Sequence, residues 1–221
     1  MKLTWLGHAA WLVESDEKRV LIDPFITGNP SAPVKAADLK DIDLIFVTHN
    51  HSDHLGDAIE ISNRNNAKVV SVFENVIAMQ SSGLKASNGV GMNKGGELID
   101  IGGIRAALVQ AVHSGNECGV VFEMEGKTVY HAGDTAFFSD MGLIKRFFKP
   151  DVAMLPIGGY FTMSLDQAVE AAKLIGAKTT LPMHYNTFPQ IRQDPMEFKR
   201  RLSGVTNVVV LKPGEATSIN Q

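Results

Sequence analysis

The sequence predicts an α/β protein in which two sheets pack face to face and helices cover their outer surfaces. Three observations predict it. Short apolar runs rich in β-branched residues recur along the whole chain, as strands require. Amphipathic stretches of helical period lie between some of them. The order is strands then helices, twice over, and 44% of the 221 residues are hydrophobic. That is enough for a large buried core, read as one domain over 1–221 built from two similar halves.

The predicted strands cover 2–6, 10–13, 19–22, 44–47, 68–72, 97–101, 104–111, 119–124, 127–131, 152–156, 179–183 and 207–211. Tight polar links such as Ser15-Asp16-Glu17-Lys18 and Glu125-Gly126-Lys127 are hairpin turns, so much of the sheet structure should be antiparallel. Helices are expected over 57–64, 73–81, 139–148 and 194–202. The clearest covers 164–175: Ser164 caps it, Gln167 completes a capping box, and Ala168, Val169, Ala171, Ala172 and Ile175 form its buried stripe before Gly176 ends it. Gly102-Gly103, near the midpoint, reads as a joint between the halves. The Pro/Gly-rich stretch 24–33 has no periodicity; it follows Asp23 at a strand end, and reads equally as a cover over a site or as an ordinary loop.

Charge and composition narrow the function. A net charge of -3 does not suit a nucleic-acid coat or an anionic-membrane surface, and disfavours nucleic acid as a partner. The single cysteine, Cys118, excludes an internal disulfide and fits a reducing compartment. The N-terminus turns polar by Glu14, so no signal-peptide core is expected, and no apolar run is long enough to cross a bilayer. The expectation is a cytoplasmic protein acting on a small-molecule substrate. Oligomeric state is not legible.

The segment Thr48-His49-Asn50-His51-Ser52-Asp53-His54 carries the chemistry. It puts three of the seven histidines and a carboxylate directly after the apolar run 44–47, which is the composition of a metal site. On extended backbone His49 and His51 point to the same side. Asp53 and His54 come after the chain begins to turn, so they face a second point. Three further candidates each follow a predicted strand: His113, Asp134 and His184. Strand ends at one rim let all seven residues converge. His49, His51 and His113 make a three-nitrogen site. Asp53, His54, His184 and Asp134 make another, with Asp134 bridging through its two oxygens.

The pattern His49-x-His51-x-Asp53-His54, followed by His113, Asp134 and His184, resembles the metal-binding set of the metallo-β-lactamase superfamily, and the resemblance runs the length of the chain. It implies a four-layer αββα sandwich with the site at one edge. Asp23 matches that family's first-motif aspartate, which braces the site. Leu6-Gly7-His8, the stretch from Asp23 to Pro30, and Phe161-Thr162-Met163 resemble a branch of small metal-dependent hydrolases similar to the ascorbate-6-phosphate lactonases. The β-lactamases that use two zincs carry cysteine at the position of Asp134; aspartate implies a lactonase, thioesterase or phosphodiesterase chemistry instead.

The implied cofactor is a pair of divalent metal ions. Mixed nitrogen and oxygen ligands suit zinc, and also manganese, nickel, iron or cobalt. Such ions lower the pKa of water to about 7, so hydroxide held between them can attack a small ester, lactone or phosphodiester. Asp53, besides ligating, can take the released proton. His8, in a turn with Gly7, is the candidate for an extra acid or a substrate contact, with a supporting role as the alternative. His131 lies inside a strand, where a buried hydrogen bond is expected. Ser114 and Asn116, and the aromatics of 158–163 and 185–188, are weaker pocket candidates. Lys199-Arg200-Arg201, Lys145-Arg146 and Lys149 read as solvated helix faces, and Cys118 has no partner that would make it a nucleophile. A nuclease of the RNA-processing type would need a basic track, and a non-catalytic metal binder would be expected to lack a ligand; the sequence shows neither feature.

Overall fold

The structure, a computed structural model, describes residues 1–219. The first sheet comprises β1 (Lys2–Trp5), β2 (Trp11–Glu14), β3 (Arg19–Ile22), β4 (Leu44–Phe46), β5 (Lys68–Val72), β6 (Gly89–Met92) and β14 (Ala216–Ser218). The second comprises β7 (Ile99–Ile101), β8 (Ile104–Val109), β9 (Gly119–Met124), β10 (Lys127–His131), β11 (Val152–Pro156), β12 (Thr179–Met183) and β13 (Asn207–Val208). Their spatial orders are β14-β1-β2-β3-β4-β5-β6 and β13-β12-β11-β10-β9-β8-β7. The six α-helices among the described residues are α1 (Ser52–Leu55), α2 (Ala58–Asn65), α3 (Phe73–Ser81), α4 (Gly142–Phe148), α5 (Leu165–Ile175) and α6 (Pro195–Arg201).

Period-two alternation builds the layers. In β3, Val20 and Ile22 enter the core between the sheets while Leu21 joins the layer formed with α2 and α3. In β4, Leu44 and Phe46 point inward and Ile45 outward. Phe46 meets Phe122 of the opposite sheet with ring centroids 5.3 Å apart. On the far side of the second sheet, Ala168, Ala172 and Ile175 of α5 are fully or almost fully buried. The expected αββα sandwich is therefore present. At α5 the Ser164 side chain accepts from Gln167 N at 3.3 Å, Ser164 N donates back to Gln167 Oε1 at 3.0 Å, and Gly176 turns left-handed, as expected.

Each sheet pairs half antiparallel and half parallel. β14-β1-β2-β3 and β7-β8-β9-β10 are antiparallel. β3-β4-β5-β6 and β10-β11-β12-β13 are parallel. Consecutive strands account for the first kind except at β14, which reaches β1 from the other end of the chain. The second needs crossovers, which α-helices supply everywhere except between β3 and β4, where only the short 3-10 turn Ala36–Asp38 intervenes. The expectation of antiparallel structure thus holds for only half of each sheet. Gly102-Gly103 is also not a joint between halves. It is the turn of the β7–β8 hairpin, where Ile101 pairs Ile104 and both glycines take positive φ. The chain changes sheets between β6 and β7.

β6 was not expected as a strand, because Gly89 and Gly91 dilute its apolar pattern. A Cβ on Gly89 would lie 2.6 Å from Gln80, and one on Gly91 2.8 Å from Phe73. The strand is glycine-bearing because α3 presses directly on it. No helix among the described residues is long and apolar enough to cross a membrane.

Candidate metal centre

All of the predicted ligands stand at the carboxyl ends of strands. His49 and His51 follow β4; the expected extended run is interrupted, since the chain bends at His49 and Asn50 before His51 returns to extended backbone. The single turn of α1 then swings Asp53 and His54 away to a second point, as the spacing predicts, although this four-residue helix was too short to show periodicity. His113, Asp134 and His184 come from the ends of β8, β10 and β12. Donor atoms of His49, His51 and His113 lie within 4.8 Å of one another, as do those of His49, His54 and Asp134, and those of His8, Asp53, His54 and His184. The structure therefore brings all seven predicted ligands together and adds His8 to them. Asp134 touches both groups, with Oδ1 3.3 Å from His54 Nε2 and Oδ2 3.0 Å from His184 Nε2 and 3.6 Å from His113 Nε2.

Hydrogen bonds at the far side of the rings decide which nitrogens face the centre. Asp23 accepts at Oδ1 from Thr48 N (2.7 Å) and at Oδ2 from Thr48 Oγ1 (2.7 Å) and His54 Nδ1 (2.7 Å). Because the Thr48 hydroxyl proton goes to Asp23, its oxygen accepts from His49 Nδ1 at 3.0 Å. His51 Nε2 and Ser114 Oγ share a hydrogen bond at 3.3 Å. The bond to Thr48 leaves His49 Nε2 with a free lone pair, and His49 Nε2 and His51 Nδ1 converge to 3.0 Å. Imidazoles fixed in this way by outer partners are how proteins orient metal ligands. Asp23 thus braces the site without entering it.

His8 is fully buried. Its Nε2 donates to Asp53 Oδ2 at 3.1 Å, and its Nδ1 accepts from Thr187 Oγ1 at 3.0 Å. Its carbonyl accepts from Trp5 Nε1 and His184 N, both at 3.0 Å. His8, Asp23 and His184 all have left-handed backbone, with φ of 54°, 44° and 55°. Non-glycine residues adopt this region where surrounding contacts force it, often at functional sites.

The electrostatics favour a cation. Burial pulls His8 down to about 4 and His49 to about 3, so both rings are neutral. Burial pushes Asp134 and Asp53 upward, but the adjoining histidines outweigh it and both carboxyls lie below the usual range. Burial lowers His54, yet Asp134 and Asp23 prevail and raise it well above the ordinary imidazole value. Two buried carboxylates demand positive charge here. His54 Nε2, His184 Nε2 and Asp134 Oδ1 are buried and, although His54 Nε2 lies 3.3 Å from Asp134 Oδ1 and His184 Nε2 3.0 Å from Asp134 Oδ2, none of the three is aligned for a hydrogen bond among the described residues. Unsatisfied buried donors and acceptors are costly, and these atoms are the coordinating positions a divalent ion would satisfy. The residues present fit a metal.

Other candidates divide. Asn116 is exposed, but its Nδ2 donates to Asn75 Oδ1 at 3.2 Å while Asn75 Nδ2 donates to Asn116 O at 3.0 Å, so it fastens the His113 loop to α3. Tyr185 is buried and stacks on Trp5 at 5.2 Å, serving the core. Phe188 and Phe25 flank His8, with ring centroids 5.4 Å and 5.8 Å away. Through Phe25 the 24–33 stretch reaches the site, and Asp57 Oδ2 anchors it by accepting from Ile26 N and Thr27 N. Tyr160 and Phe161 are exposed. Arg200 pairs with Glu197 and Arg201 with Asp166, as solvated helix faces would. Sequence reasoning missed Thr48, Thr187 and Asn75. Only Thr48, directly beside His49, offered a signal.

Known proteins resemble this chain along its length. Residues 18–185 match the beta-lactamase superfamily domain. The chain is 50% identical to a metal-dependent hydrolase of Caldivirga maquilingensis over 98% of its own length and 97% of that protein's. It is 47% identical to a metal-dependent hydrolase of Pyrococcus abyssi, over 97% and 98%. The solved structure of a metallo hydrolase from the hyperthermophilic archaeon Ignicoccus hospitalis is similar with a TM-score of 0.92 at 40% identity, covering 100% of this chain and 98% of that one.

Proposed function

The chain belongs to the beta-lactamase superfamily and is a metal-dependent hydrolase of the metallo-β-lactamase fold, and from that premise we propose that it holds two divalent cations and hydrolyses a small ester, lactone or phosphodiester. One observation carries this reading. His49, His51 and His54 each spend one ring nitrogen on an outer hydrogen bond and turn the other toward a common centre beside Asp134.

His49, His51 and His113 would hold one ion; Asp53, His54 and His184 the other; Asp134 lies where it touches both groups. Zinc suits this mixture of imidazole and carboxylate. When bound, the ions supply an acidified water and positive charge for the substrate's oxygen. The residues of the chain do the rest. Asp23 and Thr48 keep His49 and His54 in single tautomers. His8 donates to Asp53 Oδ2, which holds that carboxylate in place; Asp53 would help hold the ion and would be the nearby base for a proton of the acidified water. Since His8 is fully buried, it acts through Asp53 and does not touch substrate. His51, Asp53 and His113 are only partly buried, so substrate enters on their side.

The test strips the protein of metal, reloads it separately with zinc, manganese and nickel, and assays aryl esters, lactones and bis-aryl phosphates. Metal-dependent turnover on one of these classes, abolished by His51→Ala and by Asp134→Ala, is expected. Folded, metal-replete protein inert toward all three would overturn the assignment of bond class.

A further inference from the structure

Six of the seven histidines lie in the three donor groups. The seventh, His131, is fully buried at the end of β10 and makes two hydrogen bonds, both to main chain. We propose that His131 is a positioning residue: a clamp between the two sheets that sets the distance from the turn carrying His8 to the turn carrying Asp134. This rests on reading the site as a two-ion centre.

The two bonds define a single state of the ring. Ala9 O lies 3.0 Å from His131 Nε2 and is a carbonyl, so Nε2 must carry the proton. Gly133 N lies 3.1 Å from Nδ1 and is an amide donor, so Nδ1 must offer a lone pair. Only the neutral ring protonated at Nε2 satisfies both. Ala9 follows His8, whose ring holds Asp53 and whose carbonyl accepts from His184 N. Gly133 precedes Asp134. The ring therefore joins the β1–β2 turn of the first sheet to the β10 turn of the second, one residue away from a functional group at either end.

Neither turn has slack to absorb an error. Gly133 has φ of 62°, and a Cβ there would lie 2.6 Å from Cys118 O and 3.0 Å from Thr48 Cβ. His8 is itself left-handed. A side chain that only filled space at 131 would need volume and no direction, whereas His131 spends both ring nitrogens on these turns. The group formed by His8, Asp53, His54 and His184 meets the clamp at both ends, through His8 and through Asp134; the group formed by His49, His51 and His113 meets it only through Asp134.

The experiment measures zinc stoichiometry and both affinities by competition with a chromophoric chelator, using metal-stripped wild type, His131→Leu and His131→Gln. Leucine removes both bonds; glutamine keeps a donor for Ala9 O. In wild type two equivalents should bind. In His131→Leu the two equivalents should weaken unequally, one by roughly 10–100-fold, the range for lost outer-sphere support, and the other by less, and His131→Gln should recover part of the loss. If the leucine variant does not fold, the same split read in His131→Gln decides. Equal affinities in variant and wild type, or equal weakening of both equivalents, overturn the clamp while leaving the metal centre standing. Wild type that binds no second equivalent overturns the two-ion reading, and the clamp with it.

Discussion

Asp23 Oδ2 and His54 Nδ1 lie 2.7 Å apart with both side chains fully buried. The same carboxylate also takes both donors of Thr48, so three hydrogen bonds converge on a residue that cannot reach the centre itself. Asp23→Ala leaves three buried donors unpaired. Breaking a buried charged pair costs about 3–5 kcal/mol, which for a chain of this size lowers the melting temperature by about 6–20 °C. Calorimetry of the metal-free variant checks it; a shift below 2 °C would contradict the bracing role.

Gly115 has φ of 87°, and a Cβ there would fall 2.6 Å from Asn50 Oδ1 and 3.3 Å from ring carbons of both His49 and His51. Gly115→Ala should push the two imidazoles off their common point. A displacement of this size reduces turnover by about 100-fold, while the circular dichroism spectrum stays native. An alanine variant with wild-type kcat/KM would show that the loop yields and the histidines do not depend on it.

Cys118 is buried, donates to Thr48 O at 3.2 Å, and has its thiol pushed far up, first by burial and then by Asp23. The thiolate is the reactive form. Native protein at pH 8 should leave a chromogenic disulfide reagent unreacted over an hour and titrate one thiol per chain once guanidinium is added. Rapid labelling of the folded protein would refute the burial argument.

Asp151 ties the start of β10 to the start of β12: it accepts from Thr128 N at 3.0 Å and from Lys178 Nζ at 2.8 Å. Burial raises its pKa, but Lys178 and Thr128 outweigh that, and the carboxyl titrates below its ordinary value of 3.8. A depressed carboxylate adds stability above the unfolded-state value and loses it as pH falls through the folded one. Lys178 is largely exposed and contributes little, so the Thr128 bond sets the size, about 1 kcal/mol. Asp151→Asn should be less stable by that amount at pH 7, and the gap should close below pH 3.8. Urea melts at both pH values measure it; a gap that persists in acid argues against the ionised form as the source.

Much of this protein is legible in its sequence, and the illegible parts share a cause. Imidazoles and carboxylates at strand ends are uncommon enough for His49, His51, Asp53, His54, His113, Asp134 and His184 to stand out, and the structure gathers them. Strands buried on both faces, such as β5 and β12, announce themselves by composition. The hydroxyls that set the tautomers do not, because Thr187 and Ser114 look like any polar loop residue until their partners from distant segments are known. α1 is hidden because one turn has no period. The double glycine at 102–103 fits a linker and a hairpin equally well, and only the pairing of Ile101 with Ile104 separates them. Length and hydropathy do not decide whether neighbouring strands run parallel or antiparallel; the crossover helices do.

His8, Asp23 and His184 share a left-handed backbone that each holds without being glycine. Each such residue costs about 1–2 kcal/mol, so the rim sits on torsional strain that the sandwich beneath it must offset. Replacing any of the three with glycine would relax the main chain and erase the group it carries. At Asp23 the buried hydrogen bonds outweigh the strain, about 3–5 kcal/mol against about 1–2, so the side chain that braces the site is also what holds the strained main chain beneath it.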